Sequence, residues 1–189
     1  MKPQVVLNPP GDRVLLHSCC APCSGAVLEC LLSNGIRPRV FFSNANITPT
    51  DEYLKRRDEL ARYCDSLGVE WVEDAYDHEL WLREVAAGRE NAPERGARCL
   101  ECFRFRLRRA ALYAASEGFD TLTTTLASSR WKSLDQVDAA GESAVAGTGV
   151  LWWPQDWRKG GLQPRRSEII REQGFYNQLW CGCEYSKNQ

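Results

Sequence analysis

Short apolar segments alternate with longer amphipathic ones along most of this 189-residue chain, and this alternation limits the possible fold more than any other feature. Strands are predicted at 14–17, 39–42, 69–72, 121–125 and 150–152. Helices are predicted between or after them, at 24–32, 49–67, 77–87, 100–117, 132–145 and 166–173. Strands that alternate with helices in this way usually pair in parallel and are covered on both faces. The sequence therefore predicts an α/β fold with one mainly parallel sheet flanked by helices.

The length fits one domain, and we assign residues 13–189 to it, with residues 1–12 as an N-terminal extension. No run of ~18 apolar residues is present, so no membrane-spanning helix and no membrane partner are expected. The first residues are too polar and too rich in proline for a signal peptide, which predicts a cytoplasmic protein. The net charge is −1, so nucleic-acid binding would require a local basic surface.

Seven of the nine cysteines form three tight clusters that are far apart in the sequence. The clusters are Cys19, Cys20 and Cys23; Cys99 and Cys102; and Cys181 and Cys183. In a reducing compartment, clustered thiols more often bind metal or act catalytically than form structural disulfides. Cys30 and Cys64 stand alone within helical patterns, and we predict that they are core residues.

The first two clusters supply four or five thiolates, which fit either a tetrahedral zinc site or an iron–sulfur cluster. Cys19 and Cys20 can serve one site only where the backbone turns, and Pro22 indicates such a turn. Cys99 and Cys102 are three residues apart at a helix start, so their thiols share a face. The third cluster, Cys-Gly-Cys, permits a strained and reducible disulfide or two further metal ligands.

The sheet rule places these residues at one edge. In open α/β sheets, ligands bind beyond the carboxyl ends of the strands. Cluster one follows the first predicted strand directly, and the loop with Ser128, Ser129 and Lys132 follows the fourth. We therefore expect both segments at the same edge.

Five sequence motifs, in order, resemble the QueH type of epoxyqueuosine reductase. They are His17-Ser18-Cys19-Cys20-Ala21-Pro22-Cys23; Asn44-Ala45-Asn46-Ile47 with Glu52, Tyr53 and Arg56; Arg98-Cys99 with Cys102, Phe103, Arg106 and Leu107; Thr124-Thr125-Leu126 with Ser129 and Lys132; and Tyr176 with Gln178, Cys181-Gly182-Cys183, Tyr185 and Ser186. The resemblance extends over nearly all of residues 14–186.

This resemblance implies reduction of the epoxide of epoxyqueuosine, in the anticodon loop of a tRNA, to the alkene of queuosine. It implies a Rossmann-like domain of the HUP type and a [4Fe–4S] cluster bound by Cys19, Cys20, Cys99 and Cys102. It also implies a redox-active pair at Cys181 and Cys183. Cys23 is either a further metal ligand, for an additional iron, or a bystander.

The implied reaction consumes two electrons and two protons, and the electrons have to come from a one-electron donor that the sequence does not identify. Reduction through the cysteine pair and reduction of the substrate at the iron both stay open. Lys132, Tyr176 and Asp156 lie near the motifs and are the candidate proton donors. His17 is interpreted as a hydrogen-bonding neighbour of the cluster or as a core residue.

A tRNA substrate requires basic and aromatic side chains. The basic candidates are Arg104, Arg106, Arg108, Arg109, Arg130, Lys132, Arg158, Lys159, Arg165 and Arg166. Trp152, Trp153 and Trp157 are the candidates for stacking on an unpaired base. The alternative is that the arginines form a solvated helix face and the tryptophans belong to the core.

Two other functions are considered. Four thiolates would also suit a zinc-stabilised RNA-binding module without catalysis. An adenylating or sulfur-transfer enzyme is disfavoured, because Cys-Cys-Ala-Pro-Cys stands where a phosphate-binding Ser-Gly-Gly loop would follow the first strand.

Overall fold

Five parallel strands form a single sheet in the computed structural model, which describes residues 5–186. The strands are β1 (Val14–Ser18), β2 (Arg39–Phe42), β3 (Trp71–Glu73), β4 (Thr121–Thr124) and β5 (Leu151–Trp152). Their order across the sheet is β3-β2-β1-β4-β5, and every neighbouring pair is parallel. The predicted α/β class with a parallel sheet is confirmed.

Six α-helices connect or follow the strands: α1 (Ala21–Ser33), α2 (Thr50–Leu67), α3 (His78–Trp81), α4 (Ala97–Ser116), α5 (Leu134–Val145) and α6 (Leu162–Gln173). A π-helical segment, Leu82–Ala86, continues α3. Two 3₁₀ turns, Thr125–Ser128 and Glu184–Ser186, lie in loops. None of the helices in residues 5–186 combines the length and the apolar character that crossing a bilayer requires.

The strand order reverses direction between β1 and β4, the two strands that flank the topological switch point. β1 pairs with β2 on one side and with β4 on the other. In a sheet of this kind, the crevice beyond the carboxyl ends of the two strands is the usual binding site. Every residue of β1 is buried, so a ligand can reach reactive side chains at the end of this strand but not on the faces of the sheet.

Helix α1 begins earlier than the sequence indicates. The apolar pattern predicts a start at Ser24, whereas the helix begins at Ala21 with Cys20 as its N-cap residue. Pro22 lies within the first turn, where proline is tolerated because the first amides have no intrahelical acceptor. Cys23 is therefore a helical residue, and the first cluster spans a strand end and a helix start.

The described part of the predicted N-terminal extension, residues 5–12, packs against the domain. The side chain of Asn34 accepts a hydrogen bond from the Leu7 amide at 3.0 Å and donates one to the Val5 carbonyl at 2.8 Å. Leu7 is buried in the main core. These residues are thus held in place by the C-terminal end of α1. Residues 1–4 of the extension and residues 187–189 of the predicted domain lie outside the described range.

Candidate active site

The first cysteine cluster is formed by the end of β1 and the first turn of α1. The Sγ atoms of Cys19, Cys20 and Cys23 all lie within 4.8 Å of one another, and those of Cys19 and Cys20 are 3.8 Å apart. The change from extended backbone at Cys20 to helix at Ala21 turns two adjacent side chains toward one point. The amide of Cys19 donates to Thr125 Oγ1 at 3.1 Å, which fixes the strand end against the loop after β4.

The other two clusters meet the first one in a single cavity. Cys99 and Cys102 lie in the first two turns of α4, and Cys181 and Cys183 lie in the loop before the last 3₁₀ turn. All seven clustered cysteines line a cavity of about 690 Å³, here called the cysteine cavity. Ser128, Ser129 and Lys132 line it as well, as the sheet rule predicts. Cys30 and Cys64 are buried and do not line it, which confirms them as core residues.

The segment with Cys181 and Cys183 is held by α2 and by the loop after β2. Arg56, whose side chain is 3% exposed, donates to the carbonyls of Cys181 at 2.9 Å and Trp180 at 3.3 Å. The amide of Thr48 donates to the carbonyl of Gly182 at 3.0 Å. Gly182 has φ +113°, and a Cβ there would lie 2.9 Å from Arg56. Glycine is therefore required between the two cysteines, both for the backbone angle and for the close approach.

The cysteine cavity is strongly cationic. Its basic lining residues are Arg56, Arg95, Arg98, Arg106, Arg130, Lys132 and Arg166. Glu94 is the one carboxylate in the lining that the described residues provide. A low-dielectric cavity with this excess of positive charge favours thiolates over thiols and attracts anionic ligands.

Two of these arginines are almost completely buried and bind neutral oxygens. Arg98 donates to the carbonyls of Arg89 at 2.9 Å and Ala92 at 2.7 Å. Arg106 donates to the carbonyl of Ser43 at 3.1 Å and to the side-chain oxygen of Asn44. Both guanidinium groups are thereby fixed in the wall with hydrogen bonds to oxygens that carry no charge.

The groups around the first cluster lower the pKa of one thiol and raise the pKa of another. Hydrogen bonds from Cys19 and Cys20 lower the pKa of Cys23, and Lys132 and Arg166 lower it further. Hydrogen bonding to Cys19 and Cys23 raises the pKa of Cys20. Within this trio the proton is thus held more tightly by Cys20 than by Cys23.

The Cys181–Cys183 pair is polarised in the same manner. A hydrogen bond from Cys183 lowers the pKa of Cys181, and the positive charges of Lys132, Arg106 and Arg56 add to this effect. The same hydrogen bond raises the pKa of Cys183. Of the two thiols, Cys181 is therefore the one that loses its proton more readily.

The two thiols of the second cluster have raised pKa values, so they hold their protons more tightly than free thiols do. Burial raises the pKa of Cys102 to about 11, and burial also raises the pKa of Cys99. The negative charge of Cys181 contributes to both shifts, which places the third cluster close to the second. A thiol with a raised pKa loses its proton readily only when a cation such as a metal ion replaces it.

The donor set fits a soft metal centre. Five thiols, those of Cys19, Cys20, Cys23, Cys99 and Cys102, line the cavity, and within residues 5–186 the lining adds a single carboxylate and no imidazole. His17 is fully buried behind them: its ring nitrogens bond Thr124 Oγ1 at 2.7 Å and the Ser43 carbonyl at 3.1 Å. Burial, assisted by the charge of Arg106, lowers the pKa of His17 to about 3, so the ring is neutral. Of the two interpretations given for His17, the structure favours a core residue. Thiolate-rich sites of this kind bind zinc, iron or iron–sulfur clusters.

Of the three candidate proton donors, the structure brings only Lys132 to the cavity. Burial lowers the pKa of Lys132, but the charges of Cys181 and two thiols of the first cluster outweigh it and raise the pKa overall. Tyr176 lies outside the lining, where its hydroxyl donates to Glu52 at 3.4 Å. Asp156 also lies outside it, in an ion pair with Arg158 at 2.6 Å.

Two of the three tryptophans assigned to base stacking, Trp153 and Trp157, belong to the interior, and for them that interpretation was wrong, whereas Trp152 is half-buried. Trp153 and Trp157 are buried and pack edge to face, with ring centroids 5.9 Å apart. Trp157 Nε1 donates to the carbonyl of Thr124 at 3.1 Å. The ring of Trp152 lies over Gly141 of α5, where a Cβ would come within 2.2 Å of it. Trp152 of β5 therefore packs its ring against α5.

The basic residues predicted to bind RNA divide into two groups. Arg106, Arg130, Lys132 and Arg166 line the cysteine cavity. The others are engaged elsewhere: Arg104 with Glu101, Arg108 with the carbonyls of Ala144 and Ala146, Arg109 with Asp74, Arg158 and Lys159 with Asp156, and Arg165 with Glu29, Glu168 and Glu172. Only the first group therefore lies where a ligand in the cavity could reach it.

Sequence reasoning missed two tryptophans and a leucine that line the cavity. Trp131 is 67% exposed and Leu179 is 94% exposed, and both line the cysteine cavity together with Trp180. The guanidinium carbon of Arg130 lies 5.1 Å from the centroid of the Trp131 ring. The signal in the sequence was the position of Trp131, between two basic residues in a predicted loop.

Comparison with known proteins gives a consistent set of matches. A family model described as "Epoxyqueuosine reductase QueH" matches residues 14–189. A protein of that name from Acinetobacter baylyi is 44% identical over 188 residues, which cover 98% of this chain and 86% of the relative. One from Histophilus somni is 41% identical, covering 98% and 76%. One from Thermotoga maritima is 32% identical, covering 92% and 89%.

Proposed function

The chain belongs to the QueH family of epoxyqueuosine reductases, and on that premise we propose that it reduces the epoxide of epoxyqueuosine in tRNA to the alkene of queuosine. The observation that carries the proposal is the meeting of seven cysteines, from three remote clusters, in one cationic cavity. Thiolates can hold a redox-active metal or act as a redox couple, and basic residues favour an anionic nucleotide, and this cavity has both.

We propose that Cys19, Cys20, Cys99 and Cys102 bind a [4Fe–4S] cluster and that Cys23 binds an additional iron. The support is the all-thiol donor set and the proximity of the three Sγ atoms of the first cluster. When bound, the cluster would supply electrons singly. The buried arginines of the wall would offset the negative charge of the thiolates.

We assign the two-electron step to Cys181 and Cys183. The proposed reaction balances as epoxide, Cys181 thiolate, Cys183 thiol and Lys132 ammonium giving alkene, disulfide, water and neutral lysine: two electrons leave the sulfurs, one proton comes from Cys183 and one from Lys132, and both carbon–oxygen bonds break. Lys132, whose pKa the charge of Cys181 raises, would give its proton to the departing oxygen. A one-electron donor from outside the chain has to return the disulfide to the dithiol.

The tRNA would meet the protein at the mouth of the cysteine cavity. Trp131 offers an exposed ring on which an unpaired base can stack, and Arg130 lies against that ring. Arg95 holds this loop by donating to the carbonyl of Trp131 at 2.9 Å. Because the thiols have to stay reduced and the substrate is tRNA, we propose a cytoplasmic location. We further propose that residues 13–189 act as one catalytic domain.

One observation favours a second candidate, a zinc-stabilised RNA-binding module. Four sulfurs at about 2.3 Å from a tetrahedral zinc are about 3.8 Å apart. The Sγ atoms of Cys19 and Cys20 are separated by 3.8 Å. A zinc site would use the same thiols but would perform no electron transfer.

The test is anaerobic purification followed by iron, sulfide and zinc analysis and by an assay with epoxyqueuosine-containing tRNA. The reductase predicts a brown protein that forms queuosine when it receives a chemical reductant. Cys99→Ser should remove both iron and activity, Cys181→Ser should remove activity and keep iron, and Cys64→Ala should keep both. A colourless zinc protein without turnover would refute the reductase, and full activity in both Cys181→Ser and Cys183→Ser would refute the role of the pair.

A further inference from the structure

The loop after β2 contains two asparagines, Asn44 and Asn46, whose side chains are used differently. Both are buried, Asn46 with 1% of its surface exposed, and both line the cysteine cavity. Asn44 donates from Nδ2 to the carbonyl of Ser18 at 2.9 Å and accepts from Arg106 through Oδ1. Among the residues that the structure describes, neither Nδ2 nor Oδ1 of Asn46 has a hydrogen-bond partner.

The backbone on both sides of Asn46 is fixed. Tyr76 donates its hydroxyl to the carbonyl of Ile47 at 2.7 Å, and His78 Nδ1 bonds the carbonyl of Ala45 at 2.7 Å. The amide of Ile47 donates to the carbonyl of Asn44 at 3.0 Å. A buried amide that is unpaired in a rigid loop lowers the stability of the free protein, and such groups are rare unless they serve a ligand. The side-chain amide of Asn46 is therefore available to bind a ligand.

The partner has to satisfy a donor and an acceptor together. Metal-bound thiolate sulfur accepts hydrogen bonds but does not donate them, so it could pair with Nδ2 and would leave Oδ1 unpaired. The oxygen that is removed from the substrate can satisfy both atoms. As an epoxide it accepts a hydrogen bond, and once protonated it is a hydroxyl that also donates one.

We propose that the Asn46 amide binds this departing oxygen, donating from Nδ2 to the epoxide and accepting at Oδ1 from the hydroxyl that the epoxide becomes. The proposal rests on the reductase function given above, in which the oxygen leaves as water after gaining two electrons and two protons. A fixed amide donor stabilises the negative charge that develops on the oxygen as the carbon–oxygen bond lengthens. The alkene product has no such oxygen, so Asn46 also distinguishes substrate from product.

The test compares Asn46→Leu with Asn44→Leu in the anaerobically prepared, metal-loaded protein. Leucine matches asparagine in length and removes both polar atoms. For each variant, kcat, the melting temperature and the affinities for epoxyqueuosine tRNA and queuosine tRNA are measured. Wild-type protein should prefer the epoxide-bearing tRNA. Asn46→Leu should lose that preference, keep its affinity for queuosine tRNA, melt at the same or a higher temperature and lose roughly 10²–10³-fold in kcat.

Asn44→Leu is the structural control, and it should melt earlier and bind both tRNAs less well, because its amide joins Ser18 to Arg106. If Asn46→Leu does not fold, Asn46→Ala replaces it. The proposal would be overturned if Asn46→Leu kept its preference for epoxyqueuosine tRNA and a kcat within about threefold of wild type. It would also be overturned if the variant kept that preference but had a shifted visible spectrum, because the amide would then belong to the sulfur site. A wild-type protein that forms no queuosine refutes the reductase function and this proposal with it, whereas an active wild type with an unaffected Asn46→Leu refutes this proposal alone.

Discussion

Replacing Arg56 by methionine tests whether this one side chain holds the Cys181–Cys183 segment in the cavity. The guanidinium donates to two carbonyls of that segment, at 2.9 and 3.3 Å, and binds Glu52 at 2.6 Å. Hydrogen bonds from a charged donor contribute about 1.5–3 kcal/mol each. Taking about 1.5 kcal/mol for each of the two bonds, the docked segment should lose about 3 kcal/mol, which corresponds to roughly a hundredfold higher population of the open state.

Hydrogen exchange at the Thr48 amide measures this opening, because that amide donates to Gly182 in the segment. Arg56→Met should raise its exchange rate roughly a hundredfold. Arg57→Met is the matched control: Arg57 is the next residue of α2, and it binds Asp58 and Glu73 at the surface. A surface ion pair contributes about 1 kcal/mol or less. If both variants exchange Thr48 at the same rate, Arg56 does not hold the segment.

Three further predictions concern reactivity, RNA binding and packing. In metal-free protein at pH 7, iodoacetamide should modify Cys181 before Cys64, because hydrogen bonding to its partner thiol lowers the pKa of Cys181 while burial raises the pKa of Cys64 to about 12; peptide mass spectrometry measures both, and equal rates at pH 7 would contradict this. Trp131→Ala should weaken tRNA binding by about 1–3 kcal/mol without changing the salt dependence, since one stacked base and no charge is lost; a smaller salt slope in filter-binding assays would count against stacking. Gly141→Ala should lower the free energy of unfolding by about 1–3 kcal/mol in urea titrations, because its Cβ would overlap the ring of Trp152; an unchanged midpoint would show that the ring moves freely.

Local patterns were sufficient for the fold. Four strands were located by short apolar runs and β4 by a run of β-branched threonines, and alternation with helices predicted the parallel pairing. The start of α1 was missed because its first turn, Ala21 to Ser24, has no apolar periodicity of its own. Proline at the second position was interpreted as a turn, although the first turn of a helix accepts it. The error matters, since it is this helical turn that brings Cys23 to Cys19 and Cys20.

The site was only partly accessible from the sequence. The sheet rule located the first cluster and the Lys132 loop, since both follow strands that meet at the switch point. It gave no position for Cys181, which depends on hydrogen bonds to Arg56, a residue 125 positions earlier. Residue type also could not separate Trp131 at the cavity from Trp157 in the core, because exposure is decided by what packs over each ring. Asn46 carries no sequence signal that distinguishes it from Asn44.

Arg98 and Arg106 are bound by main-chain and amide oxygens rather than by carboxylates, and this has a consequence for how the cavity behaves as conditions change. Guanidinium groups keep their proton over the whole range in which proteins stay folded, and an amide oxygen has no proton to gain in that range. A change of pH therefore does not remove the acceptors that hold these two side chains, so their hydrogen bonds keep both of them fixed in the wall as conditions change.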